Sequence, residues 1–139
     1  MNLRKPHYYQ NAIRDFTEAI KLNPKNKDAF VYRGLTLLAT NDPENGIEDL
    51  TKAMKLGWEK SDFFHWRGEA KKVSGDYDGA IDDYTKAIKL GYRYNYHSYT
   101  SRGKIYLILK NQDQACKDFK KAISLGRDIE QKYLNYCSF

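Results

Sequence analysis

Histidines with a nearby acidic residue are the first candidates for chemistry in this sequence, because that combination can bind a metal ion. His65 precedes Glu69 by four residues, about one helical turn, and His97 lies further along the chain. A zinc site needs three or four ligands. Glu69 is the one candidate close to either histidine, so we interpret His65 and His97 as polar residues of a binding groove and expect no metal.

Thiol chemistry would involve the two cysteines, Cys116 and Cys137, which lie 21 residues apart. That spacing fits neither a metal site nor a disulfide framework. We expect reduced thiols in an intracellular compartment. Cys116 falls at an apolar position of a helical pattern and is predicted to pack in the core.

Signs of catalysis are absent from the sequence. It contains no recognisable nucleophile motif, phosphate-binding glycine loop or paired carboxylates. The stretch "SGDYDGA" at 74–80 carries glycines and acids, but it lies where a turn between helices is expected. We therefore expect no enzyme and no cofactor.

The overall composition is that of a globular, basic chain. The 139 residues include 24 Lys and Arg against 18 Asp and Glu, a net charge of +6. Residues 96–139 are the most basic part, without a polybasic tail. No secretory signal and no stretch approaching about 18 apolar residues is found. We expect no membrane association and a cytoplasmic location.

An internal repeat organises the chain. Four similar segments begin 34, 34 and 35 residues apart: "AIRDFTEAIKLNP" from Ala12, "GIEDLTKAMKLGW" from Gly46, "AIDDYTKAIKLGY" from Ala80 and "ACKDFKKAISLGR" from Ala115. An Arg-Gly pair recurs with the same spacing, at Arg33-Gly34, Arg67-Gly68 and Arg102-Gly103. Two independent markers with one period indicate a repeat protein.

Each repeat has the apolar periodicity of two amphipathic helices. In residues 77–90 the apolar side chains fall at steps of three and four: Tyr77, Ala80, Ile81, Tyr84, Ala87, Ile88 and Leu90. The same reasoning along the chain predicts helices near 8–22, 27–40, 43–56, 61–74, 77–90, 96–109 and 112–125.

This pattern resembles the tetratricopeptide repeat (TPR), a 34-residue helix pair with fixed aromatic, glycine and alanine positions. The matching residues are Phe30, Phe64 and Tyr99; Gly34, Gly68 and Gly103; Ala12, Gly46, Ala80 and Ala115; Phe16, Leu50, Tyr84 and Phe119; and Ala19, Ala53, Ala87 and Ala122. The closing proline of the family survives as Pro24 but is Trp58, Tyr92 and Arg127 in the later copies. The resemblance implies an all-α fold, a right-handed α-α superhelix or solenoid of antiparallel helix pairs.

The repeat register divides the chain into an array, 1–127, and a C-terminal capping helix, 128–139. Within the array we expect a half repeat at 8–24 and full repeats at about 27–60, 61–95 and 96–127. Asp128 is the predicted N-cap of the last helix. The side chains predicted to face the last repeat are Ile129, Tyr133, Leu134 and Tyr136, with Cys137 close to it.

Charged residues also follow the repeat. Arg33, Arg67 and Arg102 stand where the family has a hydrophobic residue, and an aspartate recurs with the same period at Asp15, Asp49, Asp83 and Asp118. We hypothesise that these arginines and aspartates form ion pairs that fix the packing of each repeat.

The resemblance places a binding groove on the first helix of each repeat. The groove residues it implies are Asp28, Val31, Tyr32, Leu35, His65, Trp66, Glu69, Lys72, His97, Ser101 and Lys104. Tyr32 and Trp66 are the expected anchors, because Tyr and Trp often dominate interface energies.

The stretch "GYRYNYHSYTSRG" at 91–103 has a tyrosine at nearly every second position. The register assigns Tyr92 to the closing position and Tyr99 to helix packing, in a linker one residue longer than the others. We expect a helix–helix junction in which His97 is the residue that faces the groove.

Non-enzymatic protein–protein interaction is therefore the predicted function, with a partner peptide or segment bound in the groove. The alternatives are self-association through an uncapped N-terminal edge and nucleic-acid binding through the basic C-terminal third. The recurring lysines lie on the solvated face, so solubility explains them more simply than nucleic acid does. TPR co-chaperones hold the C-terminal carboxylate of heat-shock chaperones with charged side chains. The matching positions here lack those donors, which disfavours a chaperone tail as partner.

Overall fold

The computed structural model of the protein describes residues 4–138. Within this range it contains eight helices and no strands, as the sequence predicts. The helices are α1 (Arg4–Leu22), α2 (Lys27–Ala39), α3 (Pro43–Lys55), α4 (Lys60–Val73), α5 (Tyr77–Lys89), α6 (Asn95–Ile108), α7 (Gln112–Ser124) and α8 (Gln131–Leu134). The bounds of α2 to α7 agree with the predicted ones to within one residue, and α1 begins earlier. Residues 1–3 of the predicted array and residue 139 of the predicted capping helix lie outside the described residues.

Helix starts are set by side-chain caps. Asn26, Asp42, Asp76 and Asn111 each precede a helix and accept a hydrogen bond from the backbone N–H three residues later. This contact satisfies one of the backbone donors that the first turn leaves without an intrahelical partner.

Helix ends explain why the family's closing proline is replaced. After α5, Gly91 adopts a left-handed φ of 76°, its N–H donates to the carbonyl of Ile88, and the N–H of Tyr92 donates to that of Ala87 at 3.0 Å. This pair of hydrogen bonds is a Schellman motif. The bond that Tyr92 donates needs a backbone N–H, which proline lacks. Trp58 and Arg127 close α3 and α7 through the same bond.

Small and large residues of the repeat meet between the paired helices. The second helix of each full repeat contributes one fully buried large residue: Leu50, Tyr84 and Phe119. Each lies against the glycine of the first helix. A Cβ at Gly68 would come within 2.9 Å of Cε1 of Tyr84, so alanine there would force the helices apart.

The Arg–Asp pairs predicted from the sequence are confirmed in all three full repeats. Each arginine donates from Nε and a terminal nitrogen to both carboxylate oxygens of the aspartate 16 residues later, at 2.7–2.9 Å. Two arginines also donate to a threonine of the preceding repeat, Arg33 to Thr17 and Arg102 to Thr85. Asp15, which has the same register, is exposed.

The C-terminal segment differs from its prediction. It contains one helical turn, α8, whose N-cap residue is Glu130, so the assignment of Asp128 as the N-cap is wrong. Tyr133 lies 6.0 Å from Phe119 between ring centroids, and Leu134 is half-buried, but Tyr136 is 57% exposed.

The cysteines are not free thiols. Cys116 and Cys137 form a disulfide bond, and their Cα atoms are 5.5 Å apart. Cys116 is only half-buried on α7, and the C-terminal segment crosses that helix closely enough to bring Cys137 to it. The expectation of reduced thiols with Cys116 in the core is therefore wrong, and the cytoplasmic location loses that support.

Contacts divide the chain into two compact units, one ending at Glu59 and one beginning at Lys60. In the first, α2 packs on α1 and α3 around Phe30, Val31 and Ala53. In the second, α4 to α7 pack in chain order, with Ala80, Tyr84 and Ile105 at the centre. Among the described residues, no helix is both long and apolar enough to cross a bilayer.

Candidate functional site

A cavity of about 410 Å³ lies entirely within the second unit. Its lining comes from α4, from the connection between α5 and α6, and from α6. The lining residues are Asp62, His65, Trp66, Glu69, Tyr92, Tyr94, Tyr96, His97 and Ser101. We call this cavity the aromatic pocket. It brings together five residues predicted from the sequence: His65, Trp66, Glu69, His97 and Ser101.

Tyrosines of the connection form much of the pocket wall. Tyr92 is 4% exposed, and Tyr94 lies edge-on to both Tyr92 and Tyr96, with centroids 5.9 and 6.2 Å away. The expectation that His97 alone of this stretch faces the groove is therefore wrong. The Schellman motif after α5 explains the position of Tyr92, because it turns the chain back along α4.

His65 forms the floor of the pocket and is 3% exposed. Its Nδ1 lies 2.7 Å from Oγ of Ser98, and its ring stacks on Tyr92 with centroids 4.5 Å apart. Burial disfavours the charged imidazolium and lowers the pKa of His65 to about 4. His65 is consequently neutral at pH 7. His97 lies 6.5 Å away between ring centroids, and its pKa is also lowered, by burial and then by the charge of Arg127.

Acidification should destabilise the fold through His65. Between its folded pKa of about 4 and its ordinary value of 6.5, the unfolded chain binds more protons, so stability falls as pH falls. From pH 7 to pH 5 we expect a loss of about 2 kcal/mol in the free energy of unfolding, measured by urea denaturation. His65→Val, which introduces the residue of the matching position 31, should remove most of this loss. An equal loss in that variant would contradict the assignment.

Glu69 is the centre of a hydrogen-bond network beneath the pocket. Its Oε1 accepts from the hydroxyls of Tyr84 at 2.8 Å and Ser101 at 2.7 Å, and its Oε2 accepts from Nζ of Lys72 at 2.9 Å. Burial raises the pKa of Glu69, but the charge of Lys72 and these hydrogen bonds outweigh it, and the net pKa is lowered. The carboxylate is therefore charged at neutral pH and fixed in position.

The other predicted groove residues have different environments. Asp28 and Tyr32 are exposed on α2, where Tyr32 stacks on Phe16 at 5.7 Å, and Leu35 is half-buried. Val31 does not line a groove, because it packs in the core with Phe30 and Ala53.

A second cavity, of about 880 Å³, lies in the same unit. It is lined by Lys72, Lys104, Leu107, Ile108, Lys110, Gln112, Lys132, Tyr133 and Tyr136. Lys104 lies over the Tyr133 ring, 4.8 Å from its centroid. The Lys72–Glu69 ion pair lies between the two cavities, because Glu69 lines the aromatic pocket and Lys72 lines the second cavity.

Sequence reasoning missed Tyr92, Tyr94 and Tyr96 as pocket residues. The available signal was the repeat spacing of 35 instead of 34, because the additional linker residue lies where these tyrosines cluster. No group of three or more His, Cys, Asp or Glu suited to a metal ion occurs among the residues that the structure describes.

Comparison with known proteins identifies the family. Two sequence models of the tetratricopeptide repeat match the chain, over residues 8–59 and 96–128. The chain therefore belongs to the tetratricopeptide repeat family. No curated protein matches it in sequence.

Solved TPR structures share this fold. MamA is 24% identical with a TM-score of 0.71, over 98% of this chain and 79% of MamA. YrrB, described as a TPR protein with an unusual peptide-binding site, is 23% identical with a TM-score of 0.67, over 79% of this chain and 56% of YrrB. The second TPR domain of Spaghetti (RPAP3), bound to an HSP90 peptide, is 22% identical with a TM-score of 0.61. The match covers 86% of this chain and 96% of that domain. These likenesses concern the fold.

Proposed function

We propose that the protein is a non-enzymatic interaction module that binds a peptide segment of a partner protein along α4 and α6 of the second unit. The observation that carries the proposal is the pair of adjoining cavities, which offers an aromatic pocket followed by a basic and apolar one. An extended segment could place successive side chains in the two. Peptide binding by the fold relatives YrrB and RPAP3 is consistent with this function.

Trp66 is the proposed anchor of the bound segment. It is half-buried, lies edge-on to His65 with centroids 5.3 Å apart, and lines the pocket. Buried Trp and Tyr side chains contribute most of the binding free energy at many interfaces.

Trp66→Ala is expected to lose most partner binding while the protein stays helical, because the anchor is removed but the repeat packing is not. Partners would be identified by pull-down with the wild type, and their affinity for each purified variant measured by calorimetry. We expect a loss of at least about 30-fold, which corresponds to the roughly 2 kcal/mol lower bound for an interface hot spot.

Tyr8→Ala is the matched control, since it removes a 70% exposed aromatic residue of α1 in the first unit. Circular dichroism would verify that both variants remain folded. A partner that binds Trp66→Ala as tightly as the wild type would contradict the proposed groove.

Self-association is the second candidate, favoured by apolar side chains exposed on α1. Leu22 is 87% exposed and Tyr8 70%. Sedimentation of the purified protein over a range of concentrations distinguishes the two functions, because a chain that remains monomeric cannot be an association module. The charged donors of the chaperone-tail clamp are missing from the matching positions, so our proposal does not include that partner.

A further inference from the structure

We infer that the second cavity, of about 880 Å³, binds an acidic stretch of the partner segment in which carboxylates flank a bulky apolar side chain. This inference rests on the proposed function and specifies the chemistry of the bound partner. It follows from the charge of the cavity lining, from the order of cations and apolar residues along α6, and from the backbone conformation of Lys110.

The charged side chains that line this cavity are all cationic. They are Lys72, Lys104, Lys110 and Lys132, and the lining includes no aspartate or glutamate. Two of these lysines are paired with carboxylates that lie outside the lining. Nζ of Lys72 is 2.9 Å from Glu69. Nζ of Lys132 is 3.1 Å from Glu130. The charges of these two lysines are therefore already balanced within the chain.

The other two lysines, Lys104 and Lys110, take part in no ion pair among the described residues. Nζ of Lys104 lies over the ring of Tyr133, 4.8 Å from its centroid. An aromatic ring attracts a cation but has no net charge, so the ammonium group of Lys104 keeps its positive charge. Lys110 is exposed. The cavity therefore has two positive charges that an acidic partner can approach.

Apolar side chains lie between these two cations along the chain. Leu107 and Ile108 follow Lys104 on α6 at steps of three and four residues, so the three share one face of the helix. Ile108 is 55% exposed, and Tyr136 of the C-terminal segment is 57% exposed. Covering these surfaces favours a bulky aliphatic side chain, while the ammonium groups on either side favour carboxylates. A nucleic acid would provide negative charge without such an aliphatic group.

The wall that the C-terminal segment contributes is tied to the rest of the unit. Tyr133 and Tyr136 belong to this segment, and the disulfide between Cys116 and Cys137 links it to α7. Tyr133 also packs against Phe119 of α7, with ring centroids 6.0 Å apart. The cavity is therefore formed before a partner arrives, and binding does not have to order this wall.

Lys110 has a backbone conformation that is unusual for lysine. Its φ is 61°, and its counterparts in the other full repeats are Asn41, with φ 64°, and Gly75, with φ 83°. Asparagine and glycine adopt this left-handed region more readily than residues with long side chains. All three positions donate the same backbone hydrogen bond, to the carbonyl three residues earlier, so the turn itself does not require lysine. A lysine at a position that disfavours it indicates a role other than folding.

The probe is acetyl-Glu-Gly-Leu-Gly-Glu-amide, titrated into the 139-residue chain labelled with ¹⁵N and with its disulfide formed. In an extended peptide alternate side chains point to the same side, so both glutamates and the leucine can face the cavity. The matched probe has glutamine in place of both glutamates. We expect the acidic peptide to shift the backbone N–H signals of Leu107, Ile108 and Tyr136. The glutamine peptide should bind at least about tenfold more weakly, the usual effect of losing charge-assisted contacts.

Lys110→Asn should weaken binding of the acidic peptide by about tenfold for the same reason. The variant should be at least as stable as the wild type in urea denaturation, because Asn41 has the same backbone conformation in the first full repeat. Lys110→Arg keeps the charge and should bind the peptide normally. The matched control is Lys120→Asn, which removes an exposed lysine of α7 outside the cavity lining and changes the net charge equally. It should also bind normally.

Equal affinity of the glutamate and glutamine peptides would overturn the inference and leave groove binding intact. So would equal affinity of the wild type and Lys110→Asn, or a titration in which the acidic peptide shifts none of the cavity signals. Deoxythymidine trinucleotide carries the same two negative charges as the peptide. If it binds the cavity as tightly as the peptide does, the cavity does not select an acidic peptide. The proposed function has its own test, since it fails when partners identified by pull-down bind Trp66→Ala normally.

Discussion

Replacing Arg102 with leucine is expected to lower the free energy of unfolding by about 3–5 kcal/mol, the range for breaking one side of a buried ion pair. Asp118, whose side chain is 5% exposed, would lose both hydrogen bonds from the guanidinium, which is its ion-pair partner among the residues that the structure describes. Arg102 also donates to Thr85 of the preceding repeat, and that contact would be lost as well. Urea denaturation at pH 7 measures the effect.

Arg67→Leu provides the matched comparison, because the same substitution in the preceding repeat leaves a second cation in place. Nζ of Lys71 lies 3.1 Å from Oδ2 of Asp83, so that carboxylate stays partly neutralised. The cost should be smaller, about 1–3 kcal/mol. If Arg67→Leu costs as much as Arg102→Leu, Lys71 does not compensate. If neither substitution changes stability, the repeated ion pairs do not contribute to it.

The pH dependence of Arg102→Leu gives an independent check on the same pair. Burial raises the pKa of Asp118 already in the wild type, while Arg102 opposes the shift. Without the arginine, the folded-state pKa should rise further above the unfolded value, and the folded state would then bind more protons. The difference in stability between the variant and the wild type should therefore shrink as the pH falls from 7 towards 5.

Most of the fold was predictable because its determinants repeat in the sequence. Gly68 and Tyr84 have counterparts in the other full repeats, and copies that agree identify a packing position more firmly than any one copy does. The arginine–aspartate pairs were predictable for the same reason. The disulfide was not, since Cys116 and Cys137 have no counterparts and meet only through the path of the C-terminal segment.

The candidate site was only partly predictable, because it departs from the repeat. His65 has Val31 and Thr100 as counterparts, and all three are buried. The resemblance had placed His65 and Val31 in the groove, as polar and apolar lining residues. Packing determined the outcome. Tyr94 and Tyr96 lie beside the additional residue of the longest linker, where the other copies provide no guide to side-chain position.

Tyr84 connects the core with the candidate site. Its ring is fully buried between Ala80, Ile105 and Gly68, while its hydroxyl donates to Glu69 beneath the pocket. The counterparts of Tyr84 are Leu50 and Phe119, which have no hydroxyl. The ring of Tyr84 therefore packs as its counterparts do in the other repeats. Its hydroxyl adds a hydrogen bond to Glu69 that those counterparts cannot make.

Tyr84→Ala is expected to cost about 3–5 kcal/mol of unfolding free energy, because it leaves a cavity of ring size in a close-packed core. Phe119→Ala is the matched control, since Phe119 is equally buried at the same register position but donates no hydrogen bond. The cavity costs of the two variants should be similar in urea denaturation, and Tyr84→Ala should lose in addition about 1.5–3 kcal/mol for the hydrogen bond to Glu69. A much smaller loss for Tyr84→Ala would contradict the close packing of Tyr84 against Gly68.

Tyr84→Phe separates the hydroxyl from the ring. Since Phe119 already occupies the equivalent position, the fold should accept phenylalanine and lose only the hydrogen bond to a charged carboxylate, about 1.5–3 kcal/mol. That hydrogen bond also helps to lower the pKa of Glu69. Its loss should raise this pKa, which a ¹³C NMR titration of the side-chain carboxyl would measure. An unchanged pKa of Glu69 would mean that Lys72 and Ser101 alone hold the carboxylate in its charged form, and that Tyr84 does not act on the pocket.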